Sequence, residues 1–392
     1  MMGAALYLDN NATAPLRPAA VSAMQAAMGP PANPSSVHFY GRQARLQVES
    51  ARADVAMLAG SRPSDIVFTS GGTEANNLAL SGFRHVITSA VEHDSVLGIA
   101  HNFSNVGNSR AGNPRASNPR ASNPSARKMT VIDVDPDGRI NLAHLEAILG
   151  GLEDTSNTPL EQTIVSVMAA NNETGVIQPL EAIVALTRKA GVAVHSDMVQ
   201  VLGKSHLDFA ASGLDFASLS AHKIGGPTGV GALIVRPGQA LSSLLRGGGQ
   251  EGGRRSGTEN FLGIAGFGAA AKAAFEDVGH YRQMGGWRDA LEAQVMQARQ
   301  DVTIFGRGVD RIPNTSCLAV GSKSSETMVM ALDLAGFAVS AGSACSSGKV
   351  HESHVLKAMQ AGEGAARAIR VSGGWQTRAQ DFEKLAEVLA EL

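Results

Sequence analysis

The chain has 392 residues, too many for one ordinary core, so two or three domains are expected. With 44% hydrophobic residues, 17% charged residues and a net charge of −2, it is composed like a globular enzyme, and no apolar run approaches the ~20 residues that span a bilayer. This balance argues against nucleic acid or a membrane as a partner, and two cysteines, Cys317 and Cys345, exclude a disulfide-stapled extracellular fold.

The first residues, Met1 to Leu6, lack a basic n-region and a long apolar h-region, so no secretory signal is expected and the reducing cytoplasm is the expected location. Apolar spacing over Ala44–Leu58 predicts a helix, followed by a short strand at Ile66–Phe68. Gly71-Gly72-Thr73 then opens a helix over Glu74–Leu80. Further strands are predicted at Val86–Thr88, Val131–Ile132, Ile164–Met168, Val192–His195, Phe216–Leu219 and Gly231–Val235, with helices at Leu142–Leu149 and Leu180–Ala190. This β–α alternation predicts an α/β fold with a mainly parallel central sheet covered by helices.

Between β segments lies a stretch unlike the rest. Asn113–Ser117 and Asn118–Ser122 are two copies of Asn-Pro-Arg-Ala-Ser, followed by Asn123-Pro124-Ser125. Such a segment cannot bury enough apolar surface to offset its ordering entropy, so 105–128 reads as a flexible insertion. Its basic residues leave a docking strip for an acidic partner as the alternative. The Gly-rich run Gly247–Gly253 breaks the alternation. After it come helical stretches at Phe261–Val278 and Trp287–Gln300, strands at Ile304, Thr315–Val320 and Ala338–Ala341, and a final helix at Gln380–Leu392. The expected division is a large domain over 15–250 and a smaller α+β domain built from 1–14 and 251–392.

Several predicted strands end in polar residues, which is where open α/β sheets bind ligands. Asp197 and Gln200 follow one strand, and Ser220, His222 and Lys223 follow the next. An amine, a carboxylate and nearby donors suit pyridoxal phosphate, whose aldehyde takes a lysine and whose ring nitrogen takes an acid. Gly72 and Thr73 at a helix N-terminus form an anion site, or a plain turn. A strand-end lysine is ordinarily solvated, and Asp197 alone would read as a helix cap. His93 either stacks on a ring or is structural, Asn172 either bonds a ring oxygen or shapes a turn, and Arg370 either clamps a carboxylate or lies exposed. Cys345 sits among small residues, from Ser340 to Gly348, that offer a thiol no packing, whereas Cys317 reads as an inert strand residue.

These residues together resemble the pyridoxal-phosphate-dependent cysteine desulfurases of the class V aminotransferase group, which have the type I fold. The similarity runs from Tyr7–Thr13 to Arg370–Ser372, and is most specific in Ser220–Pro227, Arg255–Asn260 and Ser343–Cys345. It implies that Lys223 holds pyridoxal 5'-phosphate, that Asp197 pairs with the ring nitrogen and that His93 stacks on the ring and moves protons. Gln200 and Asn172 would meet the ring hydroxyl, and Thr73, Ser220 and His222 the phosphate, with Gly72 lining the turn. Thr258 would complete the phosphate site from the second subunit of a homodimer with shared active sites. Arg370, with Asn172, would hold the carboxylate of L-cysteine, and Cys345 would be the nucleophile that takes its sulfur. The resemblance further implies a sulfur-acceptor or iron–sulfur scaffold protein as partner, including one for nitrogenase maturation; a transient iron–sulfur ligand at Cys345 is the one metal contact it raises. Gly225, Thr228 and Gly373 depart from the family's usual residues, and the repeat is an insertion. Selenocysteine lyase or cysteine sulfinate desulfinase chemistry is the alternative on the same fold, and a cofactor-less scaffold the alternative of another class.

Overall fold

The computed structural model describes residues 5–29, 31–104, 127–152, 159–342 and 352–392. Cys345 and the Asn-Pro-Arg-Ala-Ser repeats therefore lie outside the described residues. Strand β1 (Leu6–Tyr7) is followed by the seven strands of a central sheet: β2 (Ile66–Thr69), β3 (His85–Ser89), β4 (Lys128–Ile132), β5 (Thr163–Ser166), β6 (Ala193–Asp197), β7 (Phe216–Ser220) and β8 (Gly231–Val235). Their order is β2-β8-β7-β6-β5-β3-β4, and only β8 runs against its neighbours. Every residue of β2, β3, β5, β7 and β8 is buried, as expected of a sheet covered on both faces.

The side-chain alternation along each strand sorts residues between two cores. Ile66, Phe68, Ile87, Val165, Val194, Leu219 and Ile234 join the larger one, against helices Pro18–Ala27, Phe39–Ala59 and Phe261–Glu276. Val67, Val86, Ile164, Phe216 and Leu233 face the other way, against helix Gly72–Leu80. Stiff β-branched residues fit these pleated, doubly covered positions.

A second sheet follows, from β9 (Val302–Ile304), β10 (Thr315–Val320), β12 (Ser340–Ala341) and β13 (Ile369–Ser372), antiparallel in the order β12-β13-β10-β9; β11 (Phe337–Ala338) instead pairs in parallel with β1. Leu318, Val320, Ile369 and Val371 bury one face of this sheet with Tyr281, Met284, Phe382 and Leu385 from helices Val278–Ala298 and Ala379–Glu391. Cys317, Ala319 and Ala368 turn the other way, into the large core. Among the described residues, no helix is long and apolar enough to cross a membrane.

Packing corrects several expectations. A boundary at residue 250 does not match the change of core, because Ile264, Phe267, Ala270 and Ala271 of helix Phe261–Glu276 belong to the large core. The insertion cannot extend to residue 128, since Lys128 already opens β4 in register with His85. Helix Phe39–Ala59 starts five residues before the apolar stripe, capped by the His38 ring accepting from the amide of Gly41. Helix Val278–Ala298 starts before Trp287, and Ala338–Ala341 is divided between two sheets. Helix Pro18–Ala27 carries no polar face strong enough to have marked it; Pro18 at its first turn is its signal.

Candidate active site

The carboxyl ends of β6 and β7 form the floor of a cavity of about 390 Å³, of a size that takes a small cofactor. Asp197 is the last residue of β6 itself, so the sheet fixes its backbone. Its Oδ1 accepts from the amide of Val199 at 3.0 Å and its Oδ2 from Nδ2 of Asn76 at 2.7 Å. Two donors therefore hold this carboxylate from behind. Lys223 lies one short turn beyond β7, and its Nζ donates to the carbonyls of Asn11 at 2.6 Å and Ala12 at 2.8 Å. The turn after it is held where Nε of Arg17 donates to the carbonyl of Ile224 at 2.8 Å, with the guanidinium 5.1 Å from the Trp375 ring. Gly225 takes φ +82° there, and a Cβ would stand 2.9 Å from the carbonyl of Pro15. No larger residue fits that turn, which accounts for one of the departures noted in the sequence.

Opposite, helix Gly72–Leu80 begins at the cavity, with Gly72 and Thr73 in its first turn rather than before it. Gly231 of β8 lets the two strand ends close on this turn, since a Cβ on it would come within 2.7 Å of the Gly71 backbone. The open amides of that turn, Thr73, Ser220 and His222 form a donor cluster suited to an anion. Burial, then the charges of Lys223 and Lys204, push the His222 imidazole down to about 4, so its ring is neutral; Nδ1 lies 3.2 Å from Oγ1 of Thr13.

His93 lines the third wall. It does not end a strand: β3 stops at Ser89, and His93 precedes helix Asp94–Ser104. The amide of Ser95 donates to its Nδ1 at 3.1 Å, so the neutral ring carries its hydrogen on Nε2. Ser95 Oγ in turn receives Nδ2 of Asn76 at 2.8 Å, which ties the imidazole to the partner of Asp197. Below Asp197 the carboxyl of Glu92 is fully buried; burial first, then the charge on Asp197, raise it to about 8.

The structure brings Gly72, Thr73, His93, Asn172, Asp197, Gln200, Ser220, His222 and Lys223 to one cavity. Arg370 stands behind Asn172. Its fully buried guanidinium donates to Oδ1 of Asp9 at 2.6 Å and to the carbonyl of Asn172 at 3.2 Å. Asn171 closes a turn, accepting from the amides of Glu173 and Thr174, and so has a structural task. Thr258 is exposed and lies in a separate small cavity with Ser70 and Arg255, not with Thr73 and Ser220. Cys345 is outside the described residues, but both flanks are placed. Gly342 donates to the carbonyl of Ala368, and Oγ of Ser353 donates to Oε2 of Glu173 at 2.6 Å. Glu173 is buried and its carboxyl pushed up to about 7. Cys317 is fully buried in β10, and burial pushes its thiol up, leaving it unreactive.

Sequence reasoning missed Asn11, Lys204, Asn76 and Asp9. Asn11 is the hub, since its carbonyl accepts from Lys223 and Gln200 while its side-chain oxygen accepts from Lys204. These residues arrive from distant parts of the chain, and only the acid–polar run Asp9-Asn10-Asn11 in a nearly charge-free N-terminus hinted at them.

The residue set fits pyridoxal phosphate: a carboxylate held by two donors, an amine in the same cavity, an imidazole, and an amide-and-hydroxyl cluster for the phosphate. Together with the sheet topology it defines a pyridoxal-phosphate enzyme of the type I fold. The model of the aminotransferase class-V family matches residues 6–111 and 118–385, skipping part of the repeat. The chain is 38% identical to a cysteine desulfurase of Cereibacter sphaeroides, over 98% of this chain and 94% of the relative. It is 34% identical to the cysteine desulfurase IscS of Dictyoglomus turgidum, over 99% and 94%. The solved NifS-like protein of Rickettsia africae superposes with a TM-score of 0.84, is 34% identical, and is covered over 99% of both chains. The chain belongs to the class-V aminotransferase family, in its cysteine desulfurase branch.

Proposed function

We propose that the chain removes sulfur from L-cysteine, leaving L-alanine and a persulfide on Cys345 that is passed to an acceptor protein for iron–sulfur cluster assembly. The observation that carries this reading is that Asp197 and Lys223 line one cavity, with Asp197 held in place by Asn76 and Val199. When bound, pyridoxal phosphate supplies an electron sink for charge developing on the substrate.

The protein's part is positioning and proton handling. Lys223 would hold the cofactor, and its amine would carry the Cα proton. Asp197, held at the end of β6, would keep the ring nitrogen protonated. His93, on the third wall of the cavity, would stack on the ring and hand protons on. Gln200 and Asn172 meet the ring oxygen, while Gly72, Thr73, Ser220 and His222 hold the phosphate. Arg370 holds the substrate carboxylate beside Asn172. The Cys345 thiolate forms an S–S bond to the substrate sulfur as the Cβ–S bond breaks. The electron pair of that bond goes to the carbon skeleton, which takes up protons and leaves as alanine.

The exposed position of Thr258, outside the cavity that Thr73 lines, supports a homodimer in which it completes the phosphate site of the other copy. A cytoplasmic location fits a chain with only two cysteines. Incubating the protein with L-cysteine and mapping the added sulfur by mass spectrometry tests the proposal. A mass gain of one sulfur on the Cys345 peptide is expected; a gain on Cys317, or alanine formed without any persulfide, would overturn it.

A further inference from the structure

Lys204 is a second amine at this site, and the reaction above gives it no task. It stands on the turn after β6 and is only 2% exposed. Its Nζ donates to Oδ1 of Asn11 at 2.9 Å and to Oε1 of Gln200 at 2.8 Å. Both amide orientations are fixed by backbone carbonyls, which can only accept. The carbonyl of Asn172 takes Nδ2 of Asn11 at 3.1 Å, and the carbonyl of Asn11 takes Nε2 of Gln200 at 3.1 Å. Lys204 must therefore meet oxygen on each side. Gln200 lines the cavity, and one of its two amide hydrogens is taken by Asn11; the other remains for a ligand.

We infer that Lys204 is a positioning residue of the cofactor site, holding the Gln200 carboxamide so that an N–H, rather than a carbonyl oxygen, is presented to the oxygen on the pyridine ring. The inference rests on the proposal that Gln200 meets that oxygen. Turning the amide over would set an NH₂ group against Nζ of Lys204 and an oxygen against the carbonyl of Asn11, two repulsive contacts in a buried place. Burial, then Lys223 and Arg370, hold the Lys204 amine well below its ordinary range.

The test is a double-mutant cycle on the full-length holoenzyme, reading release of pyridoxal phosphate on dilution and the absorption band of the bound cofactor. Lys204→Met is expected to speed release about tenfold and to shift the band, the size of one lost hydrogen bond in a buried site. In a Gln200→Ala background the same substitution is expected to add less than about twofold, because its route of action is gone. Additive effects, or a Lys204→Met holoenzyme with unchanged release and spectrum, would overturn the inference. If Gln200→Ala alone changes neither reading, the contact of Gln200 with the cofactor fails instead, and the inference with it. Lys204→Gln keeps a donor at this place and is expected to retain cofactor better than Lys204→Met; equal loss refutes the hydrogen-bond argument. Should the Met variant not fold, the cycle is run with Lys204→Gln.

Discussion

His195 and Asp197 stand two residues apart on β6, both buried, yet their surroundings differ in kind. The His195 ring is closed off between neighbouring strands, with Nδ1 2.8 Å from Oγ of Ser166 and Nε2 2.9 Å from Oγ of Ser218. Burial pushes it down to about 4. Asp197, at the strand end, keeps two donors behind it and a cavity in front. A buried polar group whose partners all belong to the sheet stabilises that sheet. One whose partners hold only its rear is poised for a ligand. The same contrast separates Cys317, sealed in β10, from the cavity-lining Lys223.

Substitution breaks this comparison most strongly at Asp197. Asp197→Asn keeps shape and removes charge, so desulfuration is expected to fall by about 10²–10³, as when a preorganised electrostatic group is lost. Its melting temperature should stay near that of the parent, a result checked by thermal melts beside alanine assays. His195→Ala should do the reverse. It leaves Ser166 and Ser218 unpaired in the sheet and is expected to cost about 2–4 kcal/mol of stability, with cofactor retention unchanged below the melt. The pH dependence sharpens the point. The unfolded ring titrates near ~6.5, well above the native value, so its stabilising contribution is full above that pH and is lost as pH falls toward about 4. Denaturant melts between those limits should therefore show a shallower loss in the variant, His85 and His222 supplying the remainder.

Much of this was legible in the chain. The strand cores are runs such as Phe216–Leu219, and the strand-end residues Asp197, Ser220 and Lys223 follow them directly, so local pattern reveals both. The boundary of the large core was not legible, because helix Phe261–Glu276 follows a Gly-rich break yet packs back on helices Pro18–Ala27 and Phe39–Ala59. Nor was the network behind the cavity. Asn11 meets Lys204 across 193 positions and Lys223 across 212, and no periodicity or motif records contacts at that separation. Asn76 is a helix residue like any other until folding places its amide on Asp197.

Two amines, those of Lys223 and Lys204, converge on Asn11, and of the two only Lys223 lines the cavity. Reduction of the holoenzyme with borohydride, digestion and mass spectrometry of the labelled peptide tests this most directly. The pyridoxyl group is expected on Lys223 alone; finding it on Lys204 or any other lysine would contradict the account.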